Sequence, residues 1–246
     1  MQRKSAILYA ANDHFAHHGF RGASLRDIAR DAGVSLTLLN HHFGSKFQLL
    51  GAVIDAHRKV LDDRSNLMRG LMSAPGGYTV RDMIVCWVRL GFETAARPDG
   101  ETFLRLVSRV IDDPAEEAVQ VVREKLDDGA SLFIDALMRC YPQASRYTAA
   151  CAYLWFNASL LKFLIGSRRL LRLAQIEPPA SASAPAPIPA LAESGDGVDA
   201  MAHATSFGAA VLRHEAVATE SLDLREEDQA LMATFLVAGI EAVMKG

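Results

Sequence analysis

A short polar stretch near the N-terminus contains the side chains best suited to reading a nucleic acid. Residues 35–46 read SLTLLNHHFGSK, in which Thr37, Asn40 and His41 recur at spacings of three and four. Those spacings place side chains on one face of a helix. Asparagine pairs with an adenine edge, and threonine hydrogen-bonds a base or contacts a thymine methyl group. The sequence therefore predicts a helix face that reads base edges in the major groove of DNA.

Two short helices joined by a tight turn would position this face. Ser24 and Ser35 stand where helix N-caps belong, and Gly33 supplies the positive φ that ends the first helix. Asp27, three residues after Ser24, is placed to complete a capping box. The inward positions are apolar in both helices: Leu25, Ile28, Ala29 and Ala32 in the first, Leu39 and Phe43 in the second. The pattern predicts a helix-turn-helix, whose second helix lies in the major groove.

Neighbouring polar residues suit the DNA backbone. His42, Lys46 and the Ser24 hydroxyl are placed for phosphate oxygens, and Arg26 is placed for a guanine edge or a phosphate. The complete predicted DNA-binding set is Ser24, Arg26, Ser35, Leu36, Thr37, Asn40, His41, His42 and Lys46.

The charge distribution agrees with an anionic partner at this end of the chain. Residues 1–60 contain eight Lys or Arg against four Asp, a net +4, whereas the 246-residue chain carries −3, so the remainder sums to −7. A basic segment joined to an acidic body indicates a polyanion at one end and another role elsewhere. Half of the residues are apolar, which is enough to fill a core and excludes global disorder.

Helical periodicity predominates along the chain, so we predict an all-α protein. The predicted helices are 2–18, 24–31, 35–42, 45–70, 79–96, 101–112, 114–140, 143–174 and 225–244, with a further helix at 202–218. Residues 177–197 hold five of the nine prolines amid Ala and Ser, which predicts a flexible, partly polyproline loop.

Catalytic and metal-dependent functions have little support in the sequence. There is no GxSxG motif and no glycine-rich phosphate loop, so we expect no enzyme activity. Zinc needs three or four convergent ligands, and no Cys or HExxH motif accompanies the histidines of the first helix, so we expect neither a metal nor another cofactor. These histidines are His14, His17 and His18. A metal-binding helical protein is the weaker alternative.

The compartment is predicted from cysteine usage and apolar runs. Cys86, Cys140 and Cys151 lack CxxC spacing and are interpreted as buried apolar residues in a reducing compartment. Residues 149–166 are strongly apolar but contain Asn157 and Lys162, which favours a buried bundle or dimer helix over a membrane span. We expect no signal peptide and no membrane association, and therefore a soluble cytoplasmic protein.

Residues 6–50 resemble the N-terminal DNA-binding domain of the TetR family of transcriptional regulators. The resemblance lies in Phe-x-x-x-Gly-Phe, Ser-x-x-x-Ile-Ala-x-x-Ala-Gly-Val-Ser and Leu-x-x-His-Phe-x-Ser-Lys, as they stand at 15–20, 24–35 and 39–46. It implies a repressor released from a pseudo-palindromic duplex operator by a small apolar or amphipathic ligand, with an activator or co-repressor-type regulator as alternatives. Family members often have Tyr at the place of Asn40 and a basic residue at the place of Leu36.

The resemblance also implies how the rest of the chain is organised. Residues 1–48 would form the DNA-binding domain, and 49–246 a larger helical bundle for effector binding and homodimerisation, with 143–174 and 225–244 as the dimer helices. The predicted helix 45–70 would connect the two. Pocket candidates, each alternatively plain core, are Met83, Trp87, Phe92, Phe103, Arg105, Phe133, Trp155 and Phe156.

Arg105 has two open interpretations in the sequence. Either Arg105 or Arg109, four residues further along the same apolar helix, holds a ligand carboxylate, or these arginines pair with Asp112, Asp113 or Glu117. Residues 101–114, ETFLRLVSRVIDDP, are similar to C-terminal domains of family members that sense fatty acids or acyl-CoA.

Overall fold

The computed structural model describes residues 2–166 and 226–245, and within them every regular element is an α-helix. In chain order these are α1 (Gln2–Gly22), α2 (Leu25–Asp31), α3 (Leu36–Phe43), α4 (Lys46–Ala56), α5 (Arg58–Met72), α6 (Val80–Ala95), α7 (Gly100–Ile111), α8 (Glu116–Lys125), α9 (Asp127–Cys140), α10 (Arg146–Ile165) and α11 (Glu226–Lys245). The all-α prediction is confirmed. The predicted loop 177–197 and helix 202–218 lie outside the described residues.

Two predicted long helices are each divided in the structure. The predicted helix 45–70 breaks at His57, where tight three-residue hydrogen bonds run from the His57 N–H to the Ile54 carbonyl and from the Val60 N–H to the His57 carbonyl, both at 3.0 Å. The predicted helix 114–140 breaks at Leu126, which has φ of −120°. Both one-piece predictions were wrong, because neither break carries a glycine or a proline and the apolar periodicity continues through it.

The first helix also departs from regular geometry near its end. Gly19 has φ of 69° and ψ of −179°, so the chain turns sharply inside α1 before the last turn at Phe20–Gly22. The predicted end at residue 18 therefore coincides with the end of the regular part.

A first apolar core joins the N-terminal helices to the body. We call α1–α3 the head and α5–α11 the body, with α4 as the connecting helix. The head core contains Ile7, Phe15, Ile28 and Leu39, and it continues without interruption through Ile54 of α4 into α7 and α8. The α7 and α8 members are Phe103, Leu106, Val107, Val110, Ala115, Ala118 and Val121. The head is thus built onto α7, and burial of these apolar side chains links its position to that of the body.

A second apolar core fills the body between α5, α6, α9, α10 and α11. Its largest members include Met68, Trp87, Phe133 and Phe156, and the Phe133 and Phe156 rings stack with centroids 5.0 Å apart. Among the described helices, α10 is long and apolar enough to cross a membrane by length and composition alone. In this fold it packs against α6, α7, α9 and α11 as a bundle helix.

Candidate nucleic-acid interface

The turn between α2 and α3 has the geometry that the sequence predicts. Gly33 has φ of 66° and donates its N–H to the Arg30 carbonyl at 3.0 Å. The Val34 N–H donates to the Ala29 carbonyl at 2.9 Å. These two bonds form a Schellman motif, in which glycine at the left-handed position satisfies the last carbonyls of the helix. The turn therefore fixes the direction of α3 relative to α2.

Serine side chains cap both helices of the motif, as predicted. The Ser24 hydroxyl accepts from the Asp27 N–H at 3.4 Å, and the Ser35 hydroxyl accepts from the Leu38 N–H at 3.1 Å. The reciprocal arm expected from Asp27 is not formed, because its carboxylate accepts from Arg30 at 2.6 Å instead. Each cap satisfies an N–H group that the first turn leaves free, which stabilises a short helix.

The face of α3 proposed to read bases is exposed. Thr37, Asn40 and His41 all lie on the solvent side, whereas Leu39 and Phe43 are buried in the head core. His42 is exposed beside them. Leu36 differs from the expectation: it is half-buried and packs against the head core, so it does not belong to the outward face. An eight-residue helix anchored through its inner face thus presents donor and acceptor side chains to solvent.

Lys46 has internal partners in this structure. Its ammonium donates to the Ala23 carbonyl at 3.2 Å and the Arg21 carbonyl at 3.4 Å, and it lies 4.7 Å from the centroid of the Phe20 ring. The lysine therefore ties the start of α4 to the end of α1. To make the predicted phosphate contact, the Lys46 ammonium would have to leave these two carbonyls.

Arg26 is the better placed cation for a phosphate. It is exposed on α2, and it has no hydrogen-bond or ion-pair partner among the residues described. The adjacent exposed cation, Arg30, is held by Asp27 and by Asp31 at 3.0 Å. Of these two arginines, only Arg26 keeps all its donors available to an external anion.

The histidines of α1 contribute contacts within the head. His14 Nε2 lies 2.7 Å from Asp31 Oδ2, which links α1 to α2. The hydrogen bonds from His14 and Arg30 lower the pKa of the Asp31 carboxyl. His17 bonds the Asp13 carbonyl at 2.9 Å. In the described ranges no group of three or more His, Cys, Asp or Glu is arranged to hold a metal ion.

Two polar contacts join the head and connecting helix to the body. The Asp113 carboxylate accepts from the Phe20 N–H and from the Ala115 N–H, each at 2.9 Å. Lys125 of α8 donates to Asp55 of α4 at 2.8 Å. The end of α7 and α8 are thus joined to α1 and α4 by hydrogen bonds as well as by the shared core.

The helix break at His57 contacts the body directly. Its ring stacks on Phe103 with centroids 3.9 Å apart, and Nε2 lies 3.7 Å from Asp99. Burial lowers the pKa of His57, and the Asp99 carboxylate opposes that effect. The residue at the break is thus packed on α7.

A cavity of about 120 Å³ lies between α5, α6, α7, α8, α9 and α10. Trp87 and Phe103 from the predicted pocket set line it. The structure does not bring the other pocket candidates to its wall: Met83, Phe92, Phe133 and Phe156 lie in the body core, Trp155 packs against that core, and Arg105 lies elsewhere on α7. Arg105 pairs with Glu101 at 2.7 Å, which replaces the acidic partners expected for it.

Three polar residues of the cavity wall were missed in the sequence. Arg64, Tyr153 and Asn157 all line it. A signal for Arg64 was available, because it lies four residues from both Val60 and Met68, which are buried on α5. A charged residue in an apolar helical stripe is expected at a functional position more often than on a solvated face.

The helices α2 and α3 are joined by a tight turn at a glycine, have a buried inner face and present the polar side of the second helix to solvent. This arrangement defines a helix-turn-helix protein. The chain belongs to the TetR family: residues 7–53 match the family model for bacterial regulatory proteins of the tetR family, and residues 86–192 match the model for the tetracyclin repressor-like C-terminal domain. Together the two matches span more than half of the chain.

Individual relatives match over part of the chain. The transcriptional regulator BetI of Agrobacterium fabrum is 37% identical over 93 residues, which are 37% of this chain and 42% of that protein. The match thus spans less than half of BetI.

Solved structures with the same fold cover more of the chain. A TetR-family regulator from Rhodococcus sp. superposes with a TM-score of 0.54 and 17% identity over 99% of this chain and 100% of the other. FadR from Bacillus subtilis, in complex with stearoyl-CoA, has a TM-score of 0.52 and 14% identity over 70% of this chain and 94% of the other. At these identities the similarity concerns the fold.

Proposed function

We propose that this chain is a sequence-specific DNA-binding transcriptional regulator of the cytoplasm that acts by binding and not by catalysis. It represses from a pseudo-palindromic operator and is released by a small apolar or amphipathic ligand. The observation that carries the proposal is the exposed Thr37, Asn40 and His41 face on a helix capped at its start and anchored by Leu39 and Phe43. Such a face presents hydrogen-bonding groups to base edges at fixed positions.

The second copy of the chain binds through α10 and α11 in this proposal. Tyr147 and Leu154, seven residues apart on α10, are 79% and 59% exposed, and Phe235 on α11 is 60% exposed. The α10 and α11 helices pack against each other, so these apolar side chains lie at the outer surface of one helix pair. Pairing with the same surface of a second copy would bury them in a four-helix arrangement with two-fold symmetry.

Ligand release follows from the connection between the cavity and the head. The cavity is lined by Phe103, on which His57 stacks at the α4–α5 break. Movement of α5 or α7 on ligand binding therefore shifts α4 and, through Asp113, the end of α1. Half-sites bound by a dimer lie about 34–36 Å apart, so a small change in head separation prevents both heads from docking. Coupling of about 1–3 kcal/mol, typical of allosteric proteins, corresponds to a 5–150-fold loss of operator affinity.

DNA binding is tested by selecting sites from a random duplex pool and comparing the selected site with a scrambled duplex by fluorescence anisotropy. We expect preference for a pseudo-palindrome. Asn40→Ala should reduce discrimination at one base position of each half-site by about 1–3 kcal/mol. Arg26→Ala should weaken binding to all sequences and reduce the salt slope by about 1. Arg81→Ala, an exposed arginine of the body, is the matched control and should change neither.

Equal binding to selected and scrambled duplexes would refute the proposal. Transcription from a promoter that carries the selected site distinguishes a repressor from an activator or co-repressor-type regulator, since only a repressor lowers transcription in the absence of ligand.

A further inference from the structure

Unpaired hydrogen-bond donors gather around the body cavity. Arg64 Nε and Trp87 Nε1 are both buried without a hydrogen-bond partner among the described residues, and both residues line the cavity. The Arg64 guanidinium lies 5.4 Å from the Trp87 ring. Tyr153 lines the same wall and has no hydrogen bond to the residues that the structure describes. Arginine and the tryptophan N–H only donate, so the missing partner is a hydrogen-bond acceptor.

The charge of Arg64 favours an acceptor that is negatively charged. No acidic side chain among the described residues forms an ion pair with Arg64. Burial lowers the pKa of its guanidinium. An arginine remains protonated even so, and a buried cation without a counter-ion is costly. Burial raises the pKa of Tyr153 to about 12, so its hydroxyl stays protonated and able to donate.

The other charged groups of the wall do not supply this anion. Asp62 is held by Arg58 at 3.1 Å, and Glu124 accepts from the Gln120 amide at 2.8 Å. Lys125 is neutralised by Asp55 at 2.8 Å. Asp128, the third acid of the wall, is exposed and forms no ion pair with Arg64. Arg58 is paired with Asp62, and Arg69 is exposed, so Arg64 is the more buried arginine of the wall without an acidic partner among the described residues. The nearby carboxylates favour a monoanion over a phosphate dianion.

The apolar part of the wall sets the size of the ligand. Leu61, Phe103, Leu104 and Val107 supply apolar surface to the same cavity. Its volume of about 120 Å³ is close to that of an apolar cavity of about 150 Å³ that holds benzene. A body about the size of a benzene ring matches this volume.

We propose that this cavity binds a small monocarboxylate, with its carboxylate on Arg64 and Trp87 and its apolar body against Phe103 and Val107. A carboxylate forms paired hydrogen bonds with a guanidinium, which gives both charge and geometry to the site. The inference specifies the ligand class of the proposed function, and it rests on that function only for the consequence at DNA.

Calorimetric titration of the full-length protein without DNA tests the site. The probes are benzoate and hexanoate, with benzamide and hexanamide as neutral equivalents of the same shape. We expect at least one acid to bind at least tenfold more tightly than its amide. Arg64→Gln should abolish that preference and Arg64→Lys should restore part of it. Arg81→Gln removes an exposed arginine of the body that does not line the cavity and should leave the preference unchanged.

Equal affinity for acid and amide, no saturable binding of either acid at millimolar concentration, or an unchanged preference in Arg64→Gln would overturn the inference. Circular dichroism establishes that the variants are folded. If Arg64→Gln does not fold, the acid–amide comparison on the unmodified protein decides. Operator binding is measured separately without ligand, so a protein that binds its operator but no carboxylate refutes this inference and leaves the proposed function standing.

Discussion

Replacing Asp113 by alanine tests the polar contact between head and body. Its two carboxylate oxygens accept from the Phe20 and Ala115 N–H groups, each at 2.9 Å. A hydrogen bond to a charged group contributes about 1.5–3 kcal/mol. Asp113 is half-buried, so water replaces part of each bond after truncation. We expect the free energy of unfolding to fall by about 3–4 kcal/mol, at the low end of the sum of about 3–6 kcal/mol for the two bonds. Asp113→Asn keeps one acceptor oxygen and should lose about half as much.

Urea unfolding followed by circular dichroism measures these losses at one fixed protein concentration, since dimer stability depends on concentration. Asp112→Ala is the matched control, because Asp112 is the adjacent carboxylate, is exposed and has no side-chain partner among the described residues. It should change the free energy of unfolding by less than about 0.5 kcal/mol. Equal losses in the Asp112 and Asp113 variants would refute the idea that this carboxylate holds α1 on the body.

Three further changes follow from single contacts. Gly33→Ala should cost about 1–2 kcal/mol of unfolding free energy. The cause is the positive φ alone, since an added Cβ meets no atom within 4 Å. Asparagine tolerates this conformation, so an equal loss in Gly33→Asn would contradict that cause. Because the pKa of His57 is lowered in the folded protein, the unfolded chain binds more protons than the folded one near pH 6. The free energy of unfolding should therefore fall as pH drops below about 6.5. His57→Gln should flatten that part of the pH profile measured by chemical denaturation. Leu154→Glu should give a monomer at micromolar concentration by light scattering. The control Val119→Glu, at an exposed position of α8, should leave a dimer.

The helix-turn-helix could be predicted because its determinants are local. Ser24, Gly33 and Ser35 each act on a backbone group within five residues, through a cap or a positive φ. Leu39 and Phe43 mark the inner face of α3 by spacing alone. Such signals survive in a short sequence window, so the motif, its turn and the exposed side chains of α3 were all accessible without coordinates.

Contacts between distant helices could not be predicted in the same way. Lys46 bonds two carbonyls at and just after the end of α1, more than twenty residues earlier, and nothing within α4 indicates these partners. Asp113 meets a backbone N–H of Phe20 that lies 93 residues away. The pocket candidates were chosen as bulky apolar residues, a property that does not separate the cavity wall from the body core. A charged residue between apolar positions of a helix, such as Arg64, is a better indicator of the cavity wall.

In the proposed function, the break at His57 would transmit ligand binding in the cavity to the head, because His57 stacks on the cavity residue Phe103. Arg64 follows His57 by seven residues, which is two helical turns and about 10 Å along the same face of α5. An anion on Arg64 with its body on Phe103 would therefore touch α5 above the break and also touch the ring on which His57 stacks. Drawing Arg64 towards the ligand would rotate α5 about His57, and α4 would follow because its first residues are tied to α1 by Lys46. On this route, His57→Ala should leave carboxylate affinity and operator affinity unchanged when each is measured separately. It should reduce the loss of operator binding that the ligand causes. An unchanged ligand response in that variant would assign the coupling to the α1–α7 contact instead.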